Sequence, residues 1–257
     1  MDWKEFLQTR AQRPYPLLIA HRGANHLAPE NSLAAFAIAK EQGVDALETD
    51  LHVTSDGEII LFHDHTLDRM ANGSGPLFAR TLAELKQLRL RGPDGTLTDE
   101  QIPTLLELLA ATQGEMPLLL ELKDWRFADQ RHAERLVHTL AAYGVLAKCA
   151  IISFNQALVR SIRRVHDCIP VGTITLFNPL PAAEGQLLGP FWPLLWLNPF
   201  YVSRAHRSGR IVAPLDTTPQ KRMARYLQMG VDAVIADDPA AALEAMQREA
   251  QRMDANR

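Results

Sequence analysis

LLIAHRGANHLAPENSLAAF, residues 17–36, and ALETDLHVTSDGEIILFHD, residues 46–64, decide how this chain folds. LLIA reads as a short buried strand, and His21, Arg22 and Gly23 leave its carboxyl end, which is where α/β proteins place their chemistry. Pro29 and Glu30 then open a helix with Leu33, Phe36 and Ala37 on one face and Gly43 as its stop. With ALETDLHV as the next strand, the stretch forms one βαβ unit.

Side chains alternate along a strand, so Glu48 and Asp50 share one face while Leu47 and Leu51 take the other. In a barrel the carboxylates face inward and the leucines pack on helices. After the turn residues Ser55, Asp56 and Gly57, EIILF reads as a third strand ending in His63 and Asp64. Further on, PLLLELKDW (117–125) puts Leu118, Leu120 and Leu122 on one side and Leu119, Glu121 and Lys123 on the other. Three inward carboxylates would repel by about 4 kcal/mol per pair at 4 Å with an effective dielectric near 20. One divalent cation removes that conflict, and an all-oxygen ligand set without cysteine favours Mg²⁺ or Ca²⁺ over zinc.

A chain of 257 residues suits one α/β barrel, expected over residues 1–257. Hydrophobic content of 47%, charged content of 22% and a net charge of -3 describe an ordinary globular composition and argue against a nucleic-acid platform. MDWKEFLQTRAQRPYP mixes acids with bases and lacks a continuous apolar run. It reads as neither a secretory signal nor a membrane span, and the expectation is a cytoplasmic protein without stable membrane insertion. Cys149 and Cys168 read as free small hydrophobes.

In chain order, Asp2 to Arg10 predicts a short helix plugging the closed end of the barrel with Trp3, Phe6 and Leu7. Thr66 to Gln101 is turn-rich around a helix at Thr81 to Leu88 and reads as a cap-like insertion beside the strand ends that carry histidine. Alternation then resumes with a helix at Thr104 to Ala111, PLLLELK, a helix at Ala128 to Tyr143, AIISF, a helix to His166 and VGTITLF. LLGPFWPLLWLNPF, near residues 186–201, predicts a buried loop and short strand, with an exposed apolar rim for lipid tails as its other reading. A helix through His206, the strand IVAPL, a helix at Pro219 to Met229, VDAVIADDP and a terminal helix finish the chain. That makes nine strand-like runs for eight barrel places, so one must be a hairpin partner or an edge piece.

The ordered motifs HRG (21–23), PEN (29–31), ETD (48–50), HDHTLDR (63–69), NGSG (72–75) and ELK (121–123) resemble those of the glycerophosphodiester phosphodiesterase family. The likeness continues more weakly through IPTLLELL (102–109), IISF (151–154) and GVDAVIADDP (230–239). It implies a (β/α)8 TIM barrel and metal-dependent hydrolysis of a small glycerophosphodiester, such as glycerophosphocholine or glycerophosphoethanolamine, to sn-glycerol 3-phosphate and an alcohol. Carried over motif by motif, Glu48, Asp50 and Glu121 would hold the metal. His21 and His63 would be the acid/base pair, and Arg22 and Lys123 would bind phosphate. The sequence leaves open which histidine gives and which accepts; the expectation taken here is that His63 protonates the leaving alcohol. Where the family has a Trp and an Asn in its penultimate strand, this chain departs from the pattern with Leu215, Asp216 and Thr217.

Each assignment has a plainer rival. Glu48 with Asp50 could be a salt-bridge network, Arg22 a structural clamp, and Lys123 a partner of Glu121 or Glu48 alone. His26, His52 and His65 read as loop or packing residues and Asp64 as an orienting group, while His132, His138, His166 and His206 fall on helices or their ends. His63, Asp64 and His65 spell HxH, a zinc pattern of amidohydrolase barrels, but that family wants it on the first strand, where this chain has HRG. The alternative activity is a lysophospholipase D using the same site, with Phe191, Trp192 and Trp196 as candidates for an apolar groove. The remote alternative is a non-catalytic phosphate-binding barrel.

Overall fold

The computed structural model describes residues 2–9, 12 and 14–255. Its strands are β1 (Leu17–His21), β2 (Ala46–Val53), β3 (Ile59–Leu61), β4 (Leu118–Leu122), β5 (Cys149–Ser153), β6 (Val171–Thr175), β7 (Leu187–Pro190), β8 (Ile211–Val212) and β9 (Ala233–Ala236). The helices are α1 (Trp3–Thr9), α2 (Leu33–Glu41), α3 (Leu82–Leu85), α4 (Leu105–Ala111), α5 (Gln130–Ala142), α6 (Gln156–Val165), α7 (Pro193–Leu197), α8 (Tyr201–Arg207), α9 (Met223–Met229) and α10 (Pro239–Ala255). The sheet runs β8-β7-β6-β5-β4-β2-β1-β9, with every neighbouring pair on that path parallel. Between its two ends, the Asp232 N–H donates to the Val212 carbonyl at 2.9 Å and the Asp232 carboxylate accepts the Val212 N–H at 2.7 Å. The result is a nearly closed (β/α)8 barrel.

The surplus ninth strand is β3, the hairpin partner that nine strand-like runs for eight barrel places required. β3 pairs antiparallel with the upper part of β2, Leu51 opposite Leu61 and Val53 opposite Ile59. The physical reason is the connection: a parallel crossover needs a dozen or more residues, and only Thr54 to Glu58 are available, turning at Gly57 with φ of 87°. The hairpin carries the chain back, and the Phe62 N–H donates to the Asp50 carbonyl at 3.1 Å. His63 therefore reaches the barrel mouth on a hairpin return.

Two apolar layers follow from the strand alternation. Leu47, Leu51, Leu118, Leu120 and Leu122 pack outward with Phe36, Leu105 and Leu136 of the surrounding helices. Leu17, Ile19, Ala46, Leu119, Ile152 and Ile235 fill the interior, and Trp3 and Phe6 of α1 join them from the amino-terminal end. The Trp3 indole N–H donates to the Leu118 carbonyl at 2.9 Å, which satisfies the polar atom of that buried ring. Arg10, at the end of the expected helix, lies outside the described residues.

Several helix boundaries shift for identifiable reasons. α2 opens at the N-cap Ser32, whose hydroxyl accepts the Ala35 N–H, because Asn31 is held at φ 59° and ends a turn. Its buried residues are Ala35, Phe36 and Ala39, while Ala37 is exposed. α3 stops at Leu85 because the following residues pair with the loop opposite, Arg89 accepting from the Asn72 N–H and Leu90 bridging Ala71. The expected helix from Ala128 is a 3-10 turn at Trp125–Ala128 followed by α5, which Asp129 caps. The strand at IVAPL is short, since Pro214 has no N–H to donate, although Leu215 rejoins the ladder through a bond to Pro190. Helix α9 starts at Met223, after a separate 3-10 turn at Pro219–Lys221. Between β3 and α4, Phe62, Leu67, Leu77, Leu85 and Leu90 form an apolar cluster of their own beside the mouth.

Candidate active site

Arg22 and Gly23 leave β1 in left-handed conformations, with φ of 56° and 81°. A Cβ on Gly23 would lie 2.6 Å from the Ala35 backbone, so only glycine lets α2 sit this close. Arg22 has no such freedom, and its strained backbone aims a guanidinium into the mouth. Its Nε stands 3.0 Å from Asp50 Oδ2 and its Nη1 3.1 Å from Glu30 Oε1.

Glu48 lies opposite His21 across the β1–β2 ladder, and Asp50 opposite Glu121 across β2–β4. These registers bring Glu48, Asp50 and Glu121 together, with ligand oxygens all within 4.8 Å of one another and all three residues buried. Among the described residues no histidine or cysteine joins them. Lys123 Nζ closes one side, 2.7 Å from Glu121 Oε1 and 3.5 Å from Asp50 Oδ1.

Burial first, and then the charges of Asp50 and Glu121, raise the Glu48 carboxyl well above its ordinary range. Burial and Asp50 push Glu121 up to about 7. Burial acts in the same direction on Asp50, but Arg22 and Lys123 outweigh it and hold that carboxyl low. Glu48 Oε1 is buried with no hydrogen-bond partner. An unpartnered buried carboxylate oxygen beside two more carboxylates, in an all-oxygen set, fits a hard divalent cation.

Each of the two expected catalytic histidines rests on an aspartate. His21 Nδ1 lies 2.6 Å from Asp237 Oδ1 and His63 Nδ1 lies 2.6 Å from Asp64 Oδ1. A carboxylate can only accept, so Nδ1 carries the proton in both rings and Nε2 is left to face substrate. Burial works against the ionisation of Asp64, yet bonds from Arg69 and His63 hold it at about 2. Burial, together with Arg22 and Lys123, lowers the His63 imidazole despite the pull of Asp50 and Asp64.

Some parts of this arrangement were not assigned from sequence. Asn31, of the PEN motif, is buried; it donates to Asp50 Oδ2 at 2.9 Å and accepts from Thr49 Oγ1 at 2.7 Å. Arg69 spans Asp64 at 2.6 Å and Glu30 at 2.6 and 2.9 Å, tying the segment after β3 to the Arg22 side of the mouth. Asp237 also accepts from Asn25 Nδ2 at 2.6 Å. The usable signal was that Asp237 directly follows a buried strand, as His21 does. His52 is buried and bonds the His63 carbonyl at 3.2 Å, and His26 bonds the Asp237 carbonyl at 3.0 Å. His65 stacks edge-on against His52 at 5.2 Å. His132, His138, His166 and His206 lie away from the mouth, His206 on Asp232 at 2.9 Å.

The penultimate strand departs from the resembling family in a definite way. The Asp216 carboxylate is engaged by Arg222 at 3.1 Å and by the Tyr226 hydroxyl at 2.6 Å, and Arg222 stacks 3.9 Å over Trp192. Trp192, Trp196 and Tyr226 continue that stack behind the barrel wall. Leu215, Asp216 and Thr217 all line a cavity of about 30 Å³ beneath the carboxylates, with Leu119, Ile152 and Ile174. Arg22, Glu30, Arg69, Arg91 and Asp237 line a charged cleft of about 440 Å³ next to it, with His21 and Thr217 on both linings.

The model of the glycerophosphoryl diester phosphodiesterase family matches residues 21–241. A glycerophosphodiester phosphodiesterase of Caldanaerobacter subterraneus subsp. tengcongensis is 32% identical over 232 residues, covering 87% of this chain and 94% of that protein. The structure of an Oleispira antarctica phosphodiesterase in complex with the product sn-glycerol-3-phosphate is similar at a TM-score of 0.80 and 28% identity, over 90% of this chain and 97% of that one. A glycerophosphodiester phosphodiesterase from Agrobacterium tumefaciens shares the fold at a TM-score of 0.78 and 21% identity, over 90% of this chain and 100% of that one.

Proposed function

Since the chain belongs to the glycerophosphoryl diester phosphodiesterase family and is a phosphoric diester hydrolase of that kind, we propose that it cleaves small glycerophosphodiesters to sn-glycerol 3-phosphate and an alcohol by two-histidine, metal-dependent catalysis. The observation that carries this reading is the buried Glu48, Asp50 and Glu121 cluster with two aspartate-backed histidines at the same mouth. Glu48, Asp50 and Glu121 would hold one divalent cation, Mg²⁺ or Ca²⁺, which when bound supplies Lewis-acid neutralisation of the phosphoryl oxygens.

The remaining work falls to the chain's own residues. Arg22 and Lys123 bind the anionic phosphate and stabilise the charge that builds as the phosphorus is attacked. One histidine takes a proton from the attacking oxygen at Nε2, and the other, His63 in this reading, gives its proton to the alcohol oxygen as the P–O bond breaks. Asp237 and Asp64 keep both rings in the required tautomer. The chain acts as one catalytic unit in which residues 66–101 cap the mouth and shape the alcohol side. The protein works in the cytoplasm on a small-molecule substrate, without nucleic acid.

Phosphorus NMR of a glycerophosphocholine reaction tests the reading through the bond cleaved. The expected product is sn-glycerol 3-phosphate with free choline, and phosphocholine with free glycerol would refute the proposed assignment of the two ester arms.

A further inference from the structure

Residues of the cap form one wall of the charged cleft beside the mouth, and the charges along that cleft do not balance. Its two carboxylates are both engaged: Glu30 accepts from Arg22 and Arg69, and Asp237 accepts from His21 and Asn25. Two of its three guanidiniums are held in turn, Arg22 on Asp50 and Glu30, and Arg69 on Glu30 and Asp64. Arg91 is the third. Among the described residues its guanidinium makes one hydrogen bond, from Nη1 to the Gly95 carbonyl at 3.2 Å, and no ion pair. The carboxylate of its own turn, Asp94, accepts instead from the Thr96 N–H at 3.0 Å and the Thr96 hydroxyl at 2.6 Å. A short ladder fixes where Arg91 stands: it bridges Leu97, its N–H donates to the Met70 carbonyl at 2.8 Å, and the Gly92 N–H donates to the Thr96 carbonyl at 2.8 Å. Arg91 is half-buried, so donors without a protein partner border a space of about 440 Å³, the size of a small-molecule site.

We infer that Arg91 binds an anionic group on the alcohol arm of the substrate, so that the preferred glycerophosphodiesters are those whose alcohol carries a second phosphate. The inference rests on the hydrolase reading above and deepens it to a substrate class. Arg22 is on the same lining and holds the scissile phosphate in that reading, which sets where the arm begins. Arg69 also lines the cleft and bonds the Asp64 carboxylate that backs His63, so the alcohol that His63 protonates leaves beneath the cap. A guanidinium is a planar fork suited to phosphate oxygens, and its unpaired charge disfavours a cationic arm. The reaction is ordinary hydrolysis. Water adds to phosphorus, the P–O bond to the alcohol breaks, that oxygen gains a proton, and the products are sn-glycerol 3-phosphate and the phosphorylated alcohol. The second phosphate, a monoester, keeps all its bonds.

The test compares kcat/KM for two glycerophosphodiesters of ethylene glycol, one with its far hydroxyl free and one with that hydroxyl phosphorylated, beside glycerophosphocholine. In the wild type the phosphorylated arm should exceed the free one by about ten- to a hundredfold, the worth of a charge-assisted bond in a half-buried setting. Arg91→Lys, which keeps the charge without the fork, should retain part of that ratio, and Arg91→Gln should bring it towards one. Arg91→Glu should invert it and favour glycerophosphocholine; circular dichroism and the thermal midpoint check that each variant is folded. A ratio near one in the wild type, with the free arm hydrolysed, would overturn the inference and leave the hydrolase reading standing. Silence on all three substrates would overturn both. A wild-type preference that survives Arg91→Glu would assign it to Arg22 and Arg69 and overturn the role of Arg91. Inhibition by inorganic phosphate that Arg91→Glu abolishes, without any preference among the substrates, would make the cleft a site for the free anion and overturn the subsite as well.

Discussion

Replacing Glu121 with glutamine should stabilise the metal-free protein and destroy its activity. The Glu121 carboxyl is 5% exposed and pushed from 4.5 up to about 7, chiefly by burial and then by Asp50. A folded-state pKa above the unfolded one means that the penalty is absent below about pH 4.5, where both states hold the proton. It grows as pH rises and is complete above about pH 7. At 1.36 kcal/mol per unit, the charged form costs about 3 kcal/mol at pH 8. Glu121→Gln removes that charge at nearly constant shape, so in chelator at pH 8 its thermal midpoint should rise by about 5 to 10 °C. The gain should vanish near pH 4.5, and saturating Mg²⁺ or Ca²⁺ should stabilise the wild type far more than the variant. Thermal unfolding followed by circular dichroism at both pH values, with and without metal, reads all of this. A variant destabilised equally at pH 8 and pH 4.5 would refute the claim that the site stores charge repulsion which a cation relieves.

Metal affinity should fall at least tenfold per pH unit below about pH 7, because Glu121, and Glu48 where it is still protonated, must lose a proton before acting as a ligand; calorimetric titration between pH 5.5 and 8 measures the slope. A substrate with an activated leaving group, such as a nitrophenyl ester of glycerol phosphate, should rescue His63→Ala but not His21→Ala, and equal losses on both substrates would remove His63 from the acid role. Asp237→Asn should lower kcat by about 10²-fold or more with KM little changed, since His21 loses the carboxylate that fixes its tautomer. Trp3→Ala should cost about 3 to 5 kcal/mol in urea unfolding while leaving KM unchanged, because the plug lies at the end of the barrel away from the site.

The barrel was legible because period-2 alternation survives in its strands: Leu47 and Leu51 against Glu48 and Asp50, and Leu118, Leu120 and Leu122 against Leu119 and Glu121, point as the sequence says. The direction of EIILF was not legible from its composition, although the short loop before it already excluded a parallel crossover. The start of α2 was misplaced because a left-handed Asn31 cannot be read from PEN alone, and Ser32 looked like an interior residue. The charged groups at the site were visible at strand ends, whereas their supports were not. Asn31, Arg69 and Asp237 act across 19, 5 and 216 residues of sequence, and only folding brings them onto Asp50, Asp64 and His21. Asp216, named from sequence only as a departure from the family pattern, finds its partners the same way, in Arg222 and Tyr226.

The central claim is that Glu48, Asp50 and Glu121 form one cation site on which hydrolysis depends. It is tested most directly by stripping the protein with chelator, confirming that it remains folded, and following release of sn-glycerol 3-phosphate from glycerophosphocholine as Mg²⁺ or Ca²⁺ is restored. Turnover should be lost on stripping and return in saturable fashion with one of the two ions, and Glu48→Ala should not recover at any concentration. Full turnover in the stripped protein, or equal recovery by Glu48→Ala, would contradict it.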